Sequence, residues 1–262
     1  MKYTVLTLFP EITDAFFANS IMAKAIKRGI IEYRAINIRD FATDKHKTCD
    51  DAPYGGGPGM LMLSEPLGLA LDFALSRADP SLSPPHSSFL TPHSSFSKPR
   101  VIYLSPSGRT FNQELARELA AEKELVLICG RYEGIDQRII DRYVDDEISV
   151  GDYVLSSGEV AALAIIDATY RLVDSVICSD SLDEESFSGG LLEYPQFTRP
   201  EVFDTMKVPE VLLSGHHEQI RRWRLEKRVE KTLRLRPDLI KRGKELGIFN
   251  DEILDIIDRR EK

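Results

Sequence analysis

The apolar run Leu125-Val126-Leu127-Ile128-Cys129 constrains the fold more than any other stretch of this chain. It is short, bounded by a turn signal, and reads as a buried strand. It stops at Gly130 and enters Gly130-Arg131-Tyr132-Glu133-Gly134-Ile135-Asp136, a charged turn flanked by glycines. Glycine lets the backbone approach a ligand closely, and loops at strand ends carry chemistry. Two comparable turns stand nearby, Leu104-Ser105-Pro106-Ser107-Gly108-Arg109 and Val150 through Glu159. The three together predict one pocket.

The rest of the chain supplies partners for that strand. Lys2 to Phe9 reads as the first strand rather than a signal peptide, because its apolar run is short and soon meets Glu11 and Asp14. Pro10 opens a helix. Ile21 to Arg28 is a second helical piece, stopped by Gly29. Ile31 to Ile38 alternates as a strand. Leu67 to Leu75 is helical, Arg100 to Leu104 a strand, and Asn112 to Glu122 a helix. A further helix starts near Asp136, and Val160 to Tyr170 is an apolar helix ending in Arg171. Strands alternating with helices predict an α/β fold, a mostly parallel sheet with helices on both faces.

Three stretches break the pattern. Asp44 to Met60 holds Pro53-Tyr54-Gly55-Gly56-Gly57-Pro58-Gly59, which cannot be the interior of a regular element. It is neither a Walker loop nor a dinucleotide turn. Its plain reading is a tight connection, and its charged lead-in, with Lys45, His46, Lys47, Asp50 and Asp51, strengthens the case for substrate contact. Asp79 to Pro99 is rich in Ser, Pro and His and repeats Pro-His-Ser-Ser-Phe, the composition of a disordered surface insertion. Its two histidines, His86 and His93, lack further ligands nearby, and no metal site is assigned. Cys178 to Gly190 has a linker composition.

Net charge is −8, which argues against a uniformly basic nucleic-acid binder. Charge is segregated, however. From Arg221 to Lys244 basic residues outnumber Glu226, Glu230 and Asp238 several-fold, so the C-terminal part is the candidate polyanion surface. Ile220, Trp223, Leu225, Val229 and Leu233 are spaced for its buried face. No run of about 18 apolar residues exists, so no membrane span is expected. Cys49, Cys129 and Cys178 form no CxxC pair and fit a reducing cytoplasm.

The motifs Asp51-Ala52-Pro53-Tyr54-Gly55-Gly56-Gly57-Pro58-Gly59-Met60, Gly130 to Asp136, Gly151-Asp152-Tyr153-Val154-Leu155, Tyr194 to Val202 and Leu212 to Arg224 stand in one order. In that order they resemble the bacterial tRNA (guanine-N1)-methyltransferase family of the SPOUT superfamily, from Met1 to about Arg236. The resemblance implies a sheet threaded into a deep trefoil knot and a small all-helical C-terminal domain. It implies S-adenosylmethionine as methyl donor, a homodimer whose active site uses both chains, and tRNA held by the C-terminal helices. Residues 1–177 would then be the donor-binding domain, 178–193 a flexible linker, and 194–262 the tRNA-binding domain. The donor pocket carried over by position is Tyr103, Leu104, Ser105, Gly130, Val150, Gly151, Asp152, Tyr153, Val154, Leu155 and Gly158.

The implied reaction methylates N1 of the guanine just 3′ of the anticodon. Neutral guanine carries a hydrogen on N1, so the reaction needs a base, and a cation to stabilise charge on O6. The resemblance places the base at Glu185, before Ser186-Phe187, where the family usually has Asp; Asp183 and Glu184 are neighbouring substitutes. It places the O6 cation at Arg171, which on its own is also a favourable helix C-terminal charge. Glu133 and Asp136 would position substrate or the Mg²⁺ associated with the family, or simply cap the turn. Ser157 is a second departure, standing where Gly is usual. Two other readings stay open: a ribose 2′-O-methyltransferase on the same fold, and an RNA-binding relative that has lost the chemistry.

Overall fold

The computed structural model describes residues 1–76, 98–177 and 185–261. Most of the Ser/Pro/His insertion, with His86 and His93, lies outside them, as do Cys178, Asp183 and Glu184. The chain divides into two compact units, Met1–Ile177 and Cys178–Lys262.

In chain order the first unit contains β1 (Lys2–Thr7), α1 (Pro10–Phe17), α2 (Ser20–Lys27), β2 (Glu32–Asn37), β3 (Asp50–Asp51) and β4 (Leu61–Met62). It continues with α3 (Ser64–Leu75), β5 (Arg100–Thr110), α4 (Gln113–Ala120), β6 (Glu124–Ile128), α5 (Gln137–Tyr143), β7 (Asp146–Ser149) and α6 (Gly158–Tyr170). Five strands form one parallel sheet in the order β2-β1-β6-β5-β7. The apolar run is its central strand, and Leu125, Val126, Leu127 and Ile128 are fully buried. Their alternation feeds two cores. Leu125 and Leu127 pack with Phe17, Leu119, Ile165 and Ile166, on the side of α1, α4 and α6. Val126 and Ile128 pack with Leu67, Leu71 and Ile139, on the side of α3 and α5. A strand apolar on both faces needs helices on both faces, and each buried Leu or Ile stabilises this layering by about 1.5–3 kcal/mol.

β5 departs from the sequence reading. It runs to Thr110, six residues past the expected end at Leu104. Leu104 and Arg109 both align with Ile148, so Ser105 to Gly108 form an irregular excursion within one strand. Gly108 permits it, since a Cβ there would collide with the backbone of Glu147 and Ile148. Its Ser-Pro-Ser-Gly composition reads as a turn; long-range pairing to β7 overrides that signal.

Arg100, at the start of β5, ties three elements together. It pairs with Asp146 of β7 at 2.6 Å, and with Glu118 of α4 at 2.7 Å and Glu122 just beyond that helix at 3.5 Å.

The second unit carries a two-stranded hairpin, β8 (Val202–Phe203) and β9 (Met206–Lys207), then α7 (Glu210–Leu213), α8 (His217–Leu235), α9 (Pro237–Glu245) and α10 (Asp251–Glu261). The hairpin is an addition to the expected all-helical unit. Val229, Ile240, Phe249, Ile256 and Ile257 bury one core with Leu191, and Leu225 and Leu233 pack against it. Trp223 instead meets Phe197, their ring centroids 6.3 Å apart.

The basic stretch is less open than its composition implies. Arg221 is clamped by Glu218 at 2.7 Å and Glu252 at 2.9 Å. Lys227 pairs with Glu230, Arg236 with Asp238, and Lys244 with Glu261. Arg228 and Lys231 donate to the Ser188 and Glu193 carbonyls, fastening the lead-in segment to α8. Arg222 and Lys241 stay well exposed despite helical acid partners.

Candidate active site

In a parallel sheet, ligands bind beyond the carboxyl ends of the strands. β6, β5 and β7 are neighbours, so the turns after β6 and β7 and the excursion in β5 open on one edge. A cleft of about 280 Å³ lies there. Its lining includes Tyr103, Leu104, Ser105, Gly130, Val150, Tyr153, Val154, Leu155 and Gly158.

Gly151 and Asp152 belong to the same loop but not to the lining. The Ser149 hydroxyl occupies the backbone of Gly151, donating to its carbonyl at 2.9 Å and accepting its N–H at 3.2 Å. The ring of Tyr153 folds back over Gly151, leaving no room for a Cβ. Arg171 ends α6, the helix that Gly158 begins. At 1.5 Å rise per residue it stands about 20 Å from Gly158 along the helix axis. That is farther than one arginine side chain extends, so Arg171 does not reach the cleft of its own unit. Glu185 opens the described part of the second unit, where its carbonyl accepts the Ser188 N–H at 3.0 Å.

Two glycines set the floor of the cleft. A Cβ on Gly158 would lie 2.7 Å from Cys129 Cα and 2.8 Å from Gly130 N, so the helix start touches bare backbone. A Cβ on Gly130 would lie 2.9 Å from the Tyr103 ring. Burial pushes the Tyr103 hydroxyl pKa up, so it stays a neutral group. Ser157 sits before α6 in extended backbone, φ −164° and ψ 152°, which any residue adopts; the chain has no need of glycine there.

The glycine-rich loop joins the same wall. The Glu133 N–H donates to Met60 O and the Met62 N–H to Gly134 O, both at 3.0 Å. Gly59, at φ +91°, lies against the Glu133 side chain, where no Cβ would fit. Tyr132 holds the left-handed conformation at φ +58°, and its hydroxyl donates to Asp50 at 3.3 Å. Asp136 caps α5, accepting from the Arg138 N–H at 2.9 Å and pairing with its guanidinium at 2.6 Å. That is the capping role, and Asp136 is outside the lining, whereas Glu133 is within it.

Several lining residues gave no sequence signal. Ile148, Ser149 and Ala161 look like ordinary strand and helix positions, and only register and packing bring them to the cleft. Arg131 lines it too, backed by a buried acid, Glu159, at 3.5 Å. No group of three or more His, Cys, Asp or Glu suited to a metal ion occurs among the described residues. No helix among them is long and apolar enough to cross a membrane.

The cleft suits S-adenosylmethionine. Leu104, Ile148, Val150, Val154, Leu155 and Ala161 offer apolar walls for a flat base, and the glycine turns expose backbone groups. Among the described residues the one lining cation, Arg131, faces a carboxylate.

Known proteins place the chain. A profile of the family described as tRNA (Guanine-1)-methyltransferase TrmD matches residues 1–242. A protein of Treponema denticola is 60% identical over 98% of both chains. One of Treponema pallidum is 56% identical over 96% of this chain and 93% of its own. One of Borrelia turicatae is 54% identical over 96% and 98%. All three carry the name tRNA (guanine-N(1)-)-methyltransferase. With similarity of this extent running through the glycine turns that build the cleft, the chain belongs to the tRNA (guanine-1)-methyltransferase TrmD family.

Proposed function

We propose that the protein transfers a methyl group from S-adenosylmethionine to N1 of the guanine just 3′ of the anticodon in tRNA. The observation that carries this reading is the glycine-floored cleft at the carboxyl edge of β6, β5 and β7, in a chain so similar to enzymes named for guanine-N1 methylation. Bound there, the donor supplies a methyl carbon on a sulfonium. The protein must hold guanine N1 in line with that carbon and take its proton.

Glu185 is the proposed base, and Arg171 the proposed cation for charge developing on O6. The placement of Arg171 supports a homodimer. The length of α6 keeps Arg171 from its own cleft, so its proposed role calls for the Arg171 of a second copy of the chain. The knot belongs to this proposal as well. So do the roles of 178–193 as a linker and of 194–262 as the tRNA-binding part. Exposed cations such as Arg222 and Lys241 support that last role. Buried free thiols at Cys49 and Cys129 agree with a cytoplasmic protein. Mg²⁺ is proposed only as a requirement of the substrate complex.

The test uses purified protein, labelled donor, and tRNA transcripts in which the guanine 3′ of the anticodon is replaced. Transfer is expected to vanish with that guanine. Undiminished transfer would overturn the reading.

A further inference from the structure

Behind the cleft lies a buried carboxylate. Glu159, the second residue of α6, is 0% exposed. Thr7, at the end of β1, donates its hydroxyl to Glu159 Oε1 at 2.6 Å. The same hydroxyl accepts the Phe9 N–H at 2.9 Å, so its one proton is free to point at Glu159. Among the described residues Glu159 Oε2 has no hydrogen-bond partner, and neither does the buried Nε of Arg131. Arg131 Nη2 approaches that oxygen at 3.5 Å, too long for a good hydrogen bond but close for opposite charges. The guanidinium also rests on the Phe9 ring, 4.3 Å from its centroid. This arrangement delivers charge more than hydrogen bonding.

That charge matters because of what enters the cleft. A sulfonium donor is cationic at the reacting centre, whereas the demethylated by-product is a neutral thioether. An uncompensated Arg131 in the lining would repel the first and not the second. Glu133 also lines the cleft, but it is exposed and its field is screened by water. Glu159 is dry and unscreened.

We infer that Glu159 is a positioning and charge-compensating residue, which holds Arg131 at the cleft wall and makes the cleft accept a cationic donor. The inference rests on the proposed use of S-adenosylmethionine. It gives Glu159 a role without contact to donor or guanine.

The experiment measures dissociation constants of S-adenosylmethionine and S-adenosylhomocysteine by calorimetry, on intact protein, for wild type, Glu159→Gln and Arg131→Met. Gln keeps an acceptor for Thr7 and removes the charge. For Glu159→Gln the ratio of the two constants is expected to move against the sulfonium on the order of fivefold. For Arg131→Met it is expected to move the other way. Both ligands titrate the same sample, so partial unfolding cancels in the ratio. Equal weakening of both ligands in Glu159→Gln means a purely structural role and overturns the inference. Should Glu159→Gln fail to fold, an unmoved ratio in Arg131→Met overturns it alone. A wild-type protein that binds neither compound removes the proposed donor, and this inference with it.

Discussion

The Gly158 N–H donates to the Gly130 carbonyl at 2.9 Å, so the first residue of α6 rests on the turn that ends β6. The contact is backbone on backbone, which leaves nothing able to swing aside. Gly158→Ala must therefore push α6 or the Gly130 turn outward. A loss of about 1–3 kcal/mol is expected, the usual cost of overpacking. Donor affinity should fall more than the stability loss accounts for. Thermal unfolding and calorimetry on one sample check both; a variant with wild-type Tm and affinity would refute the close approach.

Arg100 joins β5, β7 and α4 through acids, while only partly exposed itself. Arg100→Met should cost on the order of 2 kcal/mol, since it leaves Asp146 half-buried and unpaired. The effect has a pH signature. Arg100 and then Arg109 hold the Glu118 carboxyl below its usual range. A depressed folded-state pKa gives stability that is complete above the unfolded value and lost as pH falls through the folded one. The gap in Tm between wild type and variant should thus be wide at pH 7 and narrow in acid. A gap independent of pH would rule out the ionic account.

What could be read beforehand followed from how local each signal is. β6 announces itself because five apolar residues need burial on both faces, and Gly130 and Gly158 because turns and close approaches need glycine. The continuation of β5 was hidden because its pairing with β7 is set by partners some forty residues away. Ala161 and Ile148 reach the cleft only through packing and register. The basic stretch misled by composition: beside the nearby Glu218, Arg221 also meets Glu252 of α10, and Lys244 meets Glu261 of the same helix, both distant in sequence. Arg131 and Glu159 each stand in one of the two glycine turns, but nothing local announced that they pair.

Glu185→Gln separates base catalysis from binding. An amide of the same size cannot take the N1 proton. Single-turnover transfer should drop by about 10²–10⁴-fold, the usual range for losing a general base, while donor affinity stays unchanged. Raising the pH should recover part of the rate, because hydroxide can remove the N1 proton that the missing base no longer takes. If turnover persists, the base is Glu184 or Asp183, and the same substitution at those positions will find it.

Arg171 and Gly158 stand at opposite ends of one thirteen-residue helix, and this predicts complementation between chains. Gly130→Trp, which fills the cleft, and Arg171→Ala should each be inactive alone. In a mixed dimer the Arg171→Ala chain supplies an open cleft and the Gly130→Trp chain supplies the arginine, so one of two sites is whole. Random mixing makes about half the dimers mixed, and activity should recover to about a quarter of wild type. Refolding the two variants together, with each refolded separately as control, checks this by labelled-methyl transfer. If the arginine served its own chain's cleft, each mixed dimer would carry only broken sites and the mixture would stay inactive.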